Sequence, residues 1–405
     1  MKNCWNNSTH RPFGKLRVTK GVEYVMLSLS KHLRSSKKTL FSSVFIITTL
    51  FVSCKKEPTA PINIPTIIDT SYQTKGMYIL NEGLFNMNNA SLTYYNFSDS
   101  IATTDYFKQQ NGRQLGDVGN DLEIYGGKMY IVVSTSSQLE IVDFLTGESI
   151  KRIPIFDGNK PRQPRKIAFC KNKAFLCSFD GTVEVIDTTS LTIEKVIKVG
   201  RNPDGVAVVS NKIYVSNSGG LDNPNYDKTV SVIDYNTLSE IKKIPVLINP
   251  TYMATDKYGD VYVVSRGNYD NVKMRLQVID SKTDSVKKTF NDFEALNLTI
   301  KGDTAYVYYY DFTSGSGSKI LLLNVKDETI IRQNFITDNT KIETVYGIAV
   351  HPTTGDIFIT DAHNFTNMGE VFCFNVNGKK KYSFKAGLNP SYMGFVNVAR
   401  VDTLK

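Results

Sequence analysis

Seven times along the chain an apolar, strand-like run closes on a polar residue at nearly constant spacing. The marks are Tyr95-Asn96, Val142-Asp143, Ile186-Asp187, Ile233-Asp234, Ile279-Asp280, Leu323-Asn324 and Phe374-Asn375, separated by 47, 44, 47, 46, 44 and 51 residues. A period of about 40–50 residues marks a repeat architecture, in which each unit buries its apolar faces against its neighbours.

Within each unit the pattern is one of short apolar runs bounded by Gly, Asn, Asp and Ser, which is strand and hairpin grammar rather than helical grammar. Four such runs per unit describe one blade of a β-propeller. Blades are predicted to begin near Gly119, Pro164, Pro203, Pro250, Leu296 and Tyr346, which gives six complete units. The seventh is split. GMYILN at 76–81 supplies its second strand, and PSYMGFV at 390–396 supplies the missing first strand from the far end of the chain. Joining the ends removes the open edges between blades. An open stack of sheets or a two-sheet sandwich is the alternative, but a sandwich does not require this period. The expected fold is all-β, a seven-bladed propeller over 76–405 closed by its C-terminal strand.

The formal charge of +9 raises the question of nucleic acid, and its location answers it. Nine of the 48 Lys and Arg but only one of the 39 acidic residues lie in 1–53, leaving 39 basic against 38 acidic side chains in the rest. A body so near neutrality lacks the electrostatic footprint of a nucleic-acid binder.

The leader has its own order: Arg34, Lys37 and Lys38, then an apolar run over 39–53, then Cys54. The run has the length of a signal-peptide core and is short for a membrane span. LFVSC at 50–54 resembles a bacterial lipobox, which makes Cys54 the expected lipidation site; Phe51 departs from that pattern, and a buried Cys after an ordinary apolar segment is the alternative. Because 38 residues precede the apolar run, Met26 is the expected translation start. Residues 54–75, rich in Pro and Thr, read as an extended tether. Cys170 and Cys177 fall on the first two strands of one blade, where a turn near Asn172 would pair 170 with 174 and 177 with 167. That spacing is too long for a disulfide, so with Cys373 they read as small buried side chains.

Catalytic signals are sparse. His351 sits in a predicted hairpin turn, and no nucleophile elbow, paired His-Glu motif or phosphate-cradling loop occurs, so no enzyme activity, metal or cofactor is expected. Variation concentrates in the loops after each second strand (81–91, 134–138, 178–181, 216–229, 265–275, 308–318 and 360–370) and in the blade-joining loops (110–121, 161–165, 200–205, 248–252 and 388–392). In a propeller all of these emerge on one face. Their Asn, Asp and Gly also serve as plain turn formers, whereas Tyr226, Tyr269, Tyr310, Phe312 and Phe365 have no such role. The face therefore reads as a surface for a neutral, polar ligand. The candidate binding residues are Asn81, Asn88, Arg113, Asp117, Tyr226, Arg266, Tyr269, Phe312 and His363.

IYVSN at 213–217 and VSVID at 230–234 resemble the YVTN-type repeat of YncE-like and surface-layer propellers, a likeness that covers the chain from about residue 76 onward. The segments at 77–96 and 111–121 further resemble a subgroup of surface lipoprotein propellers that includes the cobalamin-capturing BtuG. That resemblance implies a lipid-anchored protein of the outer membrane or cell surface, a cobalamin-type ligand and an outer-membrane transporter as partner. A lactonase-like, metal-dependent propeller hydrolase and a structural surface-layer or adhesion module are the alternatives.

Overall fold

The computed structural model describes residues 68–310 and 317–403. The leader, Cys4, Cys54 and Phe312 lie outside the described residues. Residues 73–398 form one compact unit; 68–72 and 399–403 belong to a second, smaller one.

The larger unit is a seven-bladed propeller of four-stranded antiparallel sheets. Six blades take their strands consecutively. They open on Gly119–Tyr125, Pro164–Cys170, Pro203–Val209, Pro250–Thr255, Asn297–Lys301 and Val345–Val350, within a residue of the positions read from sequence. Blade 1 combines Ile68–Asn81, Ser91–Asn96 and Ile101–Thr103 with the C-terminal strand Pro390–Thr403, so the chain ends close the ring as expected. Its strand starts at Ile68, inside the stretch read as tether. One short helix, Tyr106–Asn111, leads into blade 2.

The inner three strands of a blade are buried on both faces because each sheet is sandwiched between two others. Asp260–Ser265 is buried throughout, while the outer strand Ser239–Pro245 is mostly exposed. This is why the sequence shows continuous apolar runs and not strict alternation. The core accordingly splits into seven clusters, one per blade interface. The closing interface packs Met77, Ile79, Tyr95 and Phe395 of blade 1 against Phe358, Val371 and Cys373 of blade 7.

The seven marks prove to be turns between third and fourth strands. In every blade the Asn or Asp side-chain oxygen accepts from a backbone N–H two residues on: Asn96 from Ser98, Asp143 from Leu145, Asp187 from Thr189, Asp234 from Asn236, Asp280 from Lys282, Asn324 from Lys326 and Asn375 from Asn377. These are Asx turns, and one is needed per hairpin.

The cysteine hairpin differs from expectation by one residue. Cys170 pairs with Lys173 and Cys177 with Lys166, because the turn is the tighter two-residue Lys171-Asn172. Cys177 and Cys373 are free and buried. His351 is a turn residue as read: its Nδ1 accepts from Thr353 N (3.2 Å) and Thr354 N (3.1 Å).

Candidate functional site: the mouth of the channel

Inner strands of five blades carry a β-bulge just after their first residue, skipping Asn120, Arg165, Asp204, Thr251-Tyr252 and Tyr346 in the ladder. A bulge re-aims the side chain it sets free. Repeated around the ring, it assembles a collar of polar groups at the end of the central channel that bears the variable loops.

These groups hold one another. Arg165 Nε donates to Asp204 Oδ1 at 2.7 Å, and its guanidinium lies 4.3 Å from the centre of the Phe179 ring. The Asn120 amide nitrogen donates to the Arg165 carbonyl (2.8 Å), while its amide oxygen accepts from Arg165 Nη1 (3.1 Å). Across the ring, Tyr346 Oη donates to Glu82 Oε2 at 2.7 Å. Burial pushes the Glu82 carboxyl above the ordinary range, against the pull of Tyr346, Lys166, Arg165 and Arg266. Arg266 completes the collar. Burial lowers the pKa of its guanidinium, but Tyr269, Asp204 and Tyr310 more than offset this and keep it charged.

Deeper in the channel, Lys166 donates to the Asn120 carbonyl and sits 4.0 Å from the centre of the Tyr392 ring. Asp121 Oδ2 accepts from Ile167 N at 2.9 Å. Burial, and then the charge of Asp121, pushes Glu123 well up. Burial likewise keeps Tyr252, Tyr308 and Tyr392 as neutral phenols. Two cavities remain here, about 80 Å³ beside Glu123, Tyr252, Tyr308 and Tyr392 and about 40 Å³ beside Asp121 and Lys166. Volumes of that size hold waters, not a substrate.

The residues read from sequence divide into three groups. Arg266, Tyr269 and Tyr226 come together: Tyr269 acts directly on Arg266, and the Tyr226 and Tyr269 rings meet edge to face at 6.2 Å. Tyr269 is 57% exposed, so its ring is presented to solvent. Asn88 is exposed on the blade 1 loop, in a left-handed turn conformation (φ 50°). His363 is half-buried on blade 7, with Nδ1 3.3 Å from Asp361 Oδ2.

The remaining three are built into the fold. Asn81 is fully buried; its amide donates to Ser91 Oγ (3.1 Å) and Thr93 Oγ1 (3.0 Å) and accepts from Gly387 N (3.0 Å). It is a structural pin and not a loop-face contact. Arg113 pairs with the buried Glu140 at 2.8 Å and donates to Ser149 Oγ on the outer strand. Asp117 accepts from Asn86 N at 2.9 Å and ties the blade 1 loop to blade 2.

Sequence reasoning passed over Glu82, Arg165, Asp204 and Tyr346. The signal was present, since the last three each stand second in an inner strand, but a bulge cannot be told from a regular strand without the pairing partner. Among the described residues no group of three or more His, Cys, Asp or Glu is placed to share a metal ion.

A family model described as a domain of unknown function, DUF5074, matches residues 75–393. No curated protein matches the chain. Among solved structures, a quinonprotein alcohol dehydrogenase-like protein of Bacteroides thetaiotaomicron is similar at 15% identity, with a TM-score of 0.58 over 80% of this chain and 78% of that one. Hydrazine synthase of Kuenenia stuttgartiensis is similar at 16% identity, with a TM-score of 0.51 over 62% of this chain and 74% of that one. At these identities the likeness is one of fold.

Proposed function

The chain belongs to this DUF5074 family, and from that premise we propose that it is a non-enzymatic binding propeller that takes a ligand on the channel mouth. The observation carrying the reading is the cluster of Arg266, Tyr269 and Tyr226 beside a polar collar. A guanidinium and two phenol rings close together on the loop face supply apolar faces and directed donors together, as small-molecule sites do. A broad, amide-fringed molecule of the cobalamin type suits such a surface. We further propose that the protein is lipid-anchored through Cys54 at the outer membrane or cell surface, where it hands its ligand to a transporter; a Cys54→Ala variant that stays in the membrane fraction would overturn the anchor.

Calorimetric titration of the purified chain with cobalamin tests the ligand. Heat and a raised melting temperature at roughly 50 µM, enough to fill a micromolar site, are expected, with Tyr226→Ala and Tyr269→Ala each weakening binding by about 1–2 kcal/mol. No response in the wild type removes this ligand, and full binding by both variants moves the site off the mouth.

A further inference from the structure

We propose that the mouth seats a single oxyanion, a carboxylate or phosphate carried by the ligand, on Arg266 and Asn249. This rests on the reading of the mouth as the binding surface and specifies what it recognises.

Four of the loop-face arginines hold carboxylates, while the Arg275 guanidinium donates to the Met274 carbonyl. Arg113 pairs with Glu140, Arg162 with Asp180, Arg165 with Asp204, and Arg201 with Asp222 and Asp227. Arg266 makes no ion pair among the described residues, although Asp204 and Glu82 lie within electrostatic reach. Both are engaged elsewhere, on Arg165 and Tyr346. Its Nε is buried and has no hydrogen-bond partner.

A second orphan donor belongs to the residue that Arg266 bonds through its backbone. Asn249, in the loop joining blades 4 and 5, is 2% exposed, and its Nδ2 has no partner either. The two residues are tied by a hydrogen bond from Arg266 N to the Asn249 carbonyl at 2.9 Å. Buried donors without acceptors are destabilising. Two donors, one of them on a guanidinium that its surroundings keep charged, call for an acceptor that is negative, and the guanidinium fork matches a carboxylate or phosphate. Tyr226 and Tyr269 then offer ring faces to the body that carries it.

The test uses the full chain and three probes: benzoate, its neutral isostere benzamide, and inorganic phosphate. Thermal melts and titrations are run on wild type, Arg266→Gln, Arg266→Lys and Asn249→Asp, the last keeping shape and turn conformation while placing a carboxylate beside the guanidinium. Benzoate or phosphate is expected to bind wild type and to weaken at least about tenfold in Arg266→Gln and Asn249→Asp, the size of one lost charge-assisted contact, with partial recovery in Arg266→Lys. Response to phosphate alone identifies the anion as a phosphate. Ligand-free Arg266→Gln should melt close to wild type, since Arg266 makes no ion pair among the described residues; a drop of many degrees makes Arg266 structural and overturns the proposal. So does anion binding that survives Arg266→Gln, or no anion binding at all. Benzamide binding as well as benzoate, in every variant, sinks the oxyanion but keeps the mouth as a binding surface. Silence from all three probes and from cobalamin sinks both.

Discussion

Asn81 and Asn217 occupy the same place in blades 1 and 4, and each does the same three things. Asn217 donates to Thr229 Oγ1 and Ser231 Oγ, both at 2.9 Å, and accepts from Gly200 N at 3.0 Å. The pin joins the second strand to the third and to the segment that enters the blade from the preceding one. A Cβ on Gly200 or Gly387 would lie 2.3 or 2.4 Å from the amide it faces, so the pin also fixes glycine opposite. Asn217→Ala is expected to lose about 2–3 kcal/mol in urea unfolding, because a buried N–H and two hydroxyls are left without their partner. Sequence showed both asparagines but not their burial, which depends for Asn81 on Gly387 at the other end of the chain. A second residue-scale prediction concerns pH. Burial pushes Asp256 from 3.8 up to about 6, against backbone donors that include Asp260, Tyr258 and Gly259. An acid whose folded pKa is raised holds more protons folded than unfolded, so its effect on stability is unfavourable at neutral pH and fades as pH falls from about 6 to about 4. Asp187 and Asp234, lowered first by turn N–H groups of Ser190 and Thr237, act below that window. Asp256→Asn should therefore flatten the stability profile between pH 4 and 6 by about 1–2 kcal/mol after screening; equal slopes for wild type and variant in urea melts would reject this.

At the scale of the element, the repeat was legible because one turn type must recur in every blade. Asn96 and Asp143 show in the sequence what their side chains do in the hairpin. The outer strands add a device the sequence hides. Lys195, Lys242, Lys288 and Arg332 each reach the carbonyl of the next blade's turn, at Thr237 (3.3 Å), Thr283 (3.3 Å), Glu328 (2.6 Å) and Asn377 (3.3 Å). These charges also keep exposed edges from pairing with other chains. Inner strands are governed by close approach. At Gly205 an added Cβ would lie 2.0 Å from the Thr251 carbonyl of the next blade, and at Gly347 1.8 Å from that of Ser391. Gly205→Ala should destabilise by about 2–3 kcal/mol, since backbone must move to admit it. Gly126→Ala, at φ 57° with open space around it, should lose only about 1 kcal/mol, from backbone conformation alone. Similar losses for the two would show that inner-strand spacing tolerates a methyl group. The bulges next to these glycines stayed invisible because a polar second residue such as Arg165 or Asp204 reads as the end of the preceding loop until its strand's pairing is known; that is why the loop face was foreseen and its polar collar was not.

At the scale of the whole molecule, everything turns on closure. Seven interfaces share the apolar core, and one of them exists only if the two chain ends meet. The C-terminal strand Pro390–Thr403 fills the inner position of blade 1. Around the join, Glu82 N donates to the Asn389 carbonyl (2.9 Å), Gly83 N to the Leu388 carbonyl (3.1 Å), Asn389 Nδ2 to the Gly83 carbonyl (3.0 Å) and Ser391 Oγ to the Leu80 carbonyl (3.3 Å). Phe395 and Val396 are buried on either face of that strand, in the clusters against blades 7 and 2. Ending the chain after Leu388 removes both side chains, each worth about 1.5–3 kcal/mol of burial, and bares the ladder edge of Ile68–Asn81 along with two blade faces. It also removes Tyr392, against which Lys166 packs in the channel. Since the stability of a domain is only about 5–15 kcal/mol, the truncated chain should melt far lower or pass into aggregates on gel filtration. A soluble truncated monomer with an unchanged midpoint would mean that the ring holds without its closing strand.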